Sequence, residues 1–214
     1  MSANLVDWVV SKLKTVDHLE VLGRTAEDFL IVKSKDKAEF SVAVMGLKET
    51  IKASDLAHLF SGATKPQLVI NVPSKTLWSG GAIELVHGED AAFGTFGDVA
   101  RAARLDNPGS FRDKNMGFFI NAIRQHSNVS GVSYVYDSVL KVDRVFGPSI
   151  AVAVIDAYNM SAEDVRDARH RFGHFDVVVK SSSYGSVTNE ATAAARTMGA
   201  QAVTFGQLMG WLNK

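Results

Sequence analysis

The side chains with the most concentrated chemistry stand late in the chain. Arg166, Arg169, His170 and Arg171 fall within six residues and form its densest basic cluster. A guanidinium presents a planar fork of donors that a phosphate accepts in pairs, so these four are the candidate nucleic-acid-binding residues. A solvated helix end explains the same residues, because cations suit the C-terminal end of a helix dipole, and Glu163, Asp164 and Asp167 dilute the field. Ser181, Ser182 and Ser183 lead toward Thr188 at a predicted strand-to-helix turn. Hydroxyls and unpaired N–H groups there suit an anion, at the strand edge where α/β folds collect ligands. The same residues also make turns and cap helices, and no glycine-rich phosphate loop accompanies them. His170 and His174 have the spacing of a metal pair, but Gly173 ends the helix between them and no third ligand is evident, so no metal is expected. Ser79-Gly80-Gly81 is an isolated glycine pair, no nucleophile-elbow sequence occurs, and Trp78 and Trp211 read as core.

Composition narrows the classes. The chain has 214 residues, with 23 basic and 23 acidic side chains. Up to Asn107 there are 12 basic against 14 acidic residues, leaving 11 against 9 beyond it. Each phosphate contact needs a cation, so this balance disfavours broad coating of nucleic acid while leaving room for a local patch. The absence of cysteine excludes disulfides, thiolate zinc sites and cysteine nucleophiles together, and fits a cytoplasmic location. No apolar run reaches the roughly 18–20 residues that cross a bilayer, and the opening MSANLVDWVVSKLK does not read as a signal peptide. No membrane association and no cofactor are expected.

The elements that must position these residues occur twice. Thr95-Phe96-Gly97 near the end of one half answers Thr204-Phe205-Gly206 near the end of the other, at an offset of 109. Upstream, Gln67–Val72 and Phe175–Lys180 are apolar runs offset by 108, Val42-Ala43-Val44 answers Val152-Ala153-Val154 at 110, and helices opening near Asn4 and Asn115 differ by 111. Ordered landmarks with so little drift point to a tandem repeat. Each unit reads as helix, three strands, helix, strand, helix, strand, helix. In the first, Leu5, Trp8, Val9 and Leu13 share a helix face, strands run over 18–22, 28–33 and 39–45, Ser54 caps a helix, and 67–72 is a buried strand. In the second, a helix over 116–125 precedes a hairpin within 132–146 and strands over 150–155, 176–179 and 201–204. Asn107-Pro108-Gly109 breaks regular structure, so the expected domains are 1–107 and 108–214.

This order resembles the common core of the restriction-endonuclease-like, or PD-(D/E)XK, nuclease superfamily. Val177-Val178-Val179-Lys180-Ser181-Ser182-Ser183-Tyr184-Gly185-Ser186-Val187-Thr188-Asn189-Glu190-Ala191 is similar to the strand, Ser/Thr turn and Thr-x-x-Ala helix start of type IV restriction enzyme catalytic domains. The expected fold is therefore α/β, a tandem repeat of two αβββαβ units with mixed central sheets. The resemblance implies an Asp on the second strand and an acid-x-Lys on the third, holding a divalent cation that activates water. Asp28 begins the second strand of the first unit, yet Glu39–Met45 has no Lys two residues after an acid and Lys48 lies too far along. Asp143 could serve in the second unit, yet Ala151–Asp156 again lacks the pattern. The expectation is a non-catalytic protein of two degenerate units that binds nucleic acid or a protein partner in DNA processing or defence. Two alternatives stay open. One is an active Mg²⁺- or Mn²⁺-dependent nuclease with migrated ligands, either Asp28, Glu39 and Lys48 or Asp143, Asp156 and Lys180. The other is a structural or assembly protein.

Overall fold

In a computed structural model, which describes residues 3–213, the chain divides into two compact units, Met1–Asp113 and Lys114–Lys214. The first unit contains helix α1 (Ala3–Leu13), strands β1 (Leu19–Arg24), β2 (Leu30–Ser34) and β3 (Glu39–Met45), helix α2 (Ala53–Leu56) continued by a 3₁₀ turn to Phe60, strand β4 (Leu68–Asn71), helix α3 (Gly80–Gly88), strand β5 (Ala92–Thr95) and helix α4 (Asp98–Ala102). The second repeats the order with α5 (Lys114–Arg124), β6 (Val129–Tyr136), β7 (Val139–Arg144), β8 (Ile150–Ile155), α6 (Ala162–Phe172), β9 (Val177–Lys180), α7 (Asn189–Thr197), β10 (Gln201–Val203) and α8 (Phe205–Trp211). Both sheets have five strands laid side by side in chain order. In each, the first three strands form an antiparallel meander, and the last two are parallel to the third.

Alternation along the strands builds the first core. Leu30, Val32, Phe40, Val42, Val44, Leu68 and Ile70 face α1 and α4, whose inner residues include Val6, Val9, Leu13, Val99 and Ala102. Ala43, Met45 and Val69 point to the opposite face and are equally buried. Sheets covered on both faces read as continuous apolar runs, which is why β4 and β9 are buried at every position. In the second unit, Phe119, Ile120, Ile123, Leu140, Val142, Val152, Val154, Val177, Val179 and Leu208 form the matching core.

Pairing register sharpens the repeat. Leu30 pairs with Val42 and Leu140 with Val152, so β2 and β3 match β7 and β8 at an offset of 110. The helix-to-strand turn keeps that value: Val16 N–H bonds to the Leu13 carbonyl and Leu19 N–H to the Val16 carbonyl, as His126 does to Ile123 and Val129 to His126. Beyond β3 the offset becomes 109 and stays there. The Ile51–Trp78 bridge answers Met160–Val187, and the Val42–Leu68 and Leu68–Ala92 pairs answer Val152–Val177 and Val177–Gln201. The drift from 108 to 111 in the sequence landmarks thus reduces to a single one-residue change in the loop after the third strand.

Two expected boundaries move. Asp28 precedes β2 rather than beginning it: it sits at φ 66° in the β1–β2 turn, closed by the Thr25 N–H to the Phe29 carbonyl at 2.8 Å. A left-handed residue cannot continue a strand, and Asp tolerates that conformation better than most. The break at Asn107 is a packed turn of the first unit, six residues before its end at Asp113. The Asn107 side chain accepts the Gly109 N–H at 3.1 Å, Pro108 and Gly109 are buried, and a Cβ on Gly109 would stand 2.3 Å from the Asp90 carbonyl oxygen. Pro and Gly break regular structure, but that turn is bound into the core of the unit that it ends.

Candidate functional site

The phrase Thr-Phe-Gly, which recurs in both halves, is a staple. Thr95 N–H and Oγ1 donate to Asp98 Oδ2 at 2.7 and 2.8 Å, and Thr204 N–H and Oγ1 donate to Gln207 Oε1 at 2.9 and 3.2 Å. A carboxylate or amide three residues on thereby satisfies the N–H ahead of it, as a capping box does. Phe96 packs on Trp8 with ring centroids 5.6 Å apart, and Phe205 packs on Phe118 at 5.4 Å and on Phe119 at 4.9 Å. The Thr and the Phe together tie the last helix of each unit to its first helix. Trp78 is buried against Phe93, while Trp211 is half-buried and carries the Arg144 guanidinium over its ring.

The acidic residues do not converge. In the first unit Glu39 pairs with Lys33 at the start of β3, whereas Asp28 lies beyond Leu30, which pairs with Val42. At roughly 3.3 Å per residue this separates the two carboxylates by about 16 Å along the strands. The third-strand positions near Asp28 are Val42 and Val44, both buried. Lys48 is exposed in the loop after β3. Asp28 instead accepts from Arg24 at 2.8 Å, and the same guanidinium reaches Asp7 on α1 at 2.7 Å. Hydrogen bonding to Asp28, then the charges of both carboxylates, raises the Arg24 guanidinium above its ordinary range.

The second set is likewise split. Asp143 follows Val142, which pairs with Ile150 at the start of β8, while Asp156 follows Ile155 at its end. At roughly 3.3 Å per residue the two are about 23 Å apart along the strands. Asp143 accepts from Lys141 at 2.8 Å and from Ser149 Oγ at 2.5 Å. These two bonds, Lys141 first, lower its carboxyl below the usual range. Lys180 pairs with Ile155, so it shares the sheet end of Asp156. Its amine, on a side chain only 1% exposed, donates to the Ser182 and Tyr184 carbonyls. Among the described residues no group of three or more His, Asp or Glu side chains is gathered as metal ligands would be.

The serine stretch bonds mainly within its own loop and to its neighbour. Ser181 Oγ donates to Asp156 Oδ1 at 2.9 Å, and Ser182 Oγ donates to the Tyr184 carbonyl while accepting the Tyr184 N–H, both at 3.1 Å. Ser183 is exposed. Thr188 is the N-cap of α7, its side chain accepting the Ala191 N–H at 3.1 Å.

The basic cluster lies on α6, which ends at Phe172 with Gly173 at φ 75°. His174 therefore stands outside the helix that carries His170. Arg166, His170 and Arg171 are exposed. Arg169 is engaged within the fold. It donates to the Met198 and Gly173 carbonyls and lies 5.1 Å over the Phe175 ring, tying the end of α6 to the end of α7. That tie brings exposed Arg196 of α7 to the same end. No sequence signal marks Arg196, because the long separation from Arg171 hides the proximity. Both helices cross from the carboxyl edge of one parallel strand to the amino edge of the next, so their basic ends and the serine loop occupy opposite edges of the sheet. The two sequence candidates are separate surfaces. No family model, curated protein or solved structure matches the chain.

Proposed function

We propose that the protein is a non-catalytic binding protein built from two degenerate nuclease-like units, and that nucleic acid is the partner of its second unit. One observation carries the non-catalytic part. The third-strand positions nearest the start of the second strand are Val42 and Val44 in one unit and Val152 and Val154 in the other, all buried. An apolar, close-packed position can neither ligate a cation nor activate water. The helix-and-strand order that suggests the nuclease-like fold is present in both units. The binding part rests on the amino edge of the second sheet, where Arg171 and Arg196 are exposed at the ends of two helices, with Arg166 exposed farther back along α6. The nearby Asp176 carboxylate is occupied by the Ala151 N–H at 2.7 Å.

The test is fluorescence anisotropy of labelled single- and double-stranded DNA with Mg²⁺ present. Three phosphate contacts on duplex DNA weaken binding about 40-fold between 50 and 200 mM salt. Salt-sensitive binding without cleavage, reduced by Arg166→Ala and Arg171→Ala, supports the reading. Absence of binding at low salt removes nucleic acid as the partner and favours an assembly role. Metal-dependent cleavage that vanishes in Asp28→Ala or Asp156→Ala overturns the non-catalytic assignment.

A further inference from the structure

The carboxyl edge of the second sheet carries a surface that the nucleic-acid reading does not use. Two loops meet there, residues 156–160 after β8 and 181–188 after β9. They are stitched by the Met160–Val187 bridge, by Ser181 Oγ donating to Asp156, and by Ser186 N–H and Oγ donating to Asn159 Oδ1 at 2.9 and 3.3 Å. Gly185, at φ 76°, lies so close that a Cβ would stand 1.9 Å from the Tyr158 carbonyl oxygen. The buried Lys180 amine holds the Ser182 and Tyr184 carbonyls from below. On this fixed backbone Tyr158 is 68% exposed and Tyr184 75% exposed. Packing within the unit does not account for two large rings left in water on ordered loops.

The chemistry of the edge selects the partner. Its residues are mostly Tyr, Ser, Asn and Gly, the composition of loops that recognise proteins: rigid rings supply contact area at small entropic cost, and short polar groups adapt. Residues 156–164 and 181–190 contain no Lys, Arg or His. Asp156 is exposed, and so are Glu163 and Glu190 in the first turns of α6 and α7, which both start at this edge. The exposed side-chain charges of these segments are all negative and disfavour phosphate, whereas an Arg or Lys can lie on a tyrosine face with carboxylates beside it. The first unit has Glu49 and Lys75 at the matching positions, with no ring.

We infer that this edge docks a basic polypeptide segment, its Arg or Lys side chains stacking on Tyr158 and Tyr184 with Asp156, Glu163 and Glu190 as counter-charges. The inference stands apart from nucleic-acid binding, which it places at the other end of the sheet. The test titrates the intact protein into a fluorescein-labelled Arg-Gly repeat peptide at low salt, with a Glu-Gly peptide and single-stranded DNA as comparators. The Arg-Gly peptide binds and the Glu-Gly peptide does not. Tyr158→Ala with Tyr184→Ala lowers the peptide affinity about tenfold, Tyr158→Phe with Tyr184→Phe retains it, and Glu163→Gln with Glu190→Gln weakens it with the rings in place. DNA affinity is unchanged in all of these. No peptide binding, or equal affinity in the parent and the double Ala variant, overturns the inference. So does loss of DNA binding in the Ala variant, which would make the rings a base-stacking surface.

Discussion

At the carboxyl end of its fourth strand, the first unit places Asn71 and the second Lys180, both 1% exposed. Asn71 closes its edge by accepting the Leu47 N–H at 2.9 Å and donating to the Leu47 and Pro73 carbonyls at 2.9 and 3.1 Å. Thr76 adds a donor to Leu47 at 2.8 Å. Lys180 only donates, and it reaches forward to shape the loop that presents Tyr184. The same contrast appears near the end of the helical segment before that strand, where Phe60 is buried in the first unit and Arg169 bridges two helices in the second. Backbone pairing and helix staples recur at fixed offsets, while the edge loops and helix ends carry different chemistry. Main-chain hydrogen bonding leaves few solutions for a strand, but a side chain at an edge needs only a partner and a route to solvent.

Matched substitutions in the intact chain test that contrast. The largest effect is expected from the first helices, where Val9 and Phe119 are equivalent and buried. Phe119→Ala should destabilise the second unit by about 3–5 kcal/mol and Val9→Ala the first by about half as much, read from chemical unfolding followed by hydrogen exchange in each unit. Next come Lys180→Met and Asn71→Leu, each leaving buried backbone groups unpaired at a cost of about 2–3 kcal/mol. Lys180→Met should also speed exchange across 181–186, whereas Asn71→Leu should act on 46–48. Similar exchange changes in both loops would erase the distinction.

A pH difference is expected in the first unit. Burial, with a smaller contribution from Arg112, pushes the His87 imidazole down to about 4 from its ordinary 6.5. The unfolded chain then binds the extra proton between those values, so stability is complete above pH 6.5 and falls as pH drops toward 4. Discounted for partial exposure, the loss should be about 1–2 kcal/mol, and His87→Gln should flatten it. A slope that persists in His87→Gln would assign it elsewhere. The smallest effect belongs to the staples. Thr95→Val and Thr204→Val should each cost about 1 kcal/mol, visible as a shift in urea midpoint without a change in slope.

Much of the architecture was legible in the residues. The runs 42–45, 68–70, 150–155 and 177–179 are apolar without interruption, and the turns between them carry Asp, Ser and Gly, so element type and order followed from periodicity. The repeat showed through because Thr95 and Thr204 make the same local bonds. Less legible was the division of roles among candidates. Arg169 reads as one more surface cation of a basic run, yet it spends its donors on two helix ends. Ser181 and Ser182 read as an open hydroxyl set, yet Ser181 bonds to Asp156 of the neighbouring loop and Ser182 within its own. Asp143 and Asp156 are near each other in sequence and stand at opposite strand ends, because a strand carries its two termini apart while a helix or turn would bring them together.

By itself the sequence determined two α/β units in tandem, their helix and strand order, and the lack of an acid-x-Lys pattern on either third strand. These are local properties: periodicity, capping and turn chemistry act over a few residues. The tertiary structure alone decided that Arg196 joins the end of α6, that Arg24 sits between Asp7 and Asp28, and that Tyr158 and Tyr184 share one edge. Each depends on pairing register and crossover direction, which bring together residues far apart in the chain and have no signature in the spacing of the residues themselves.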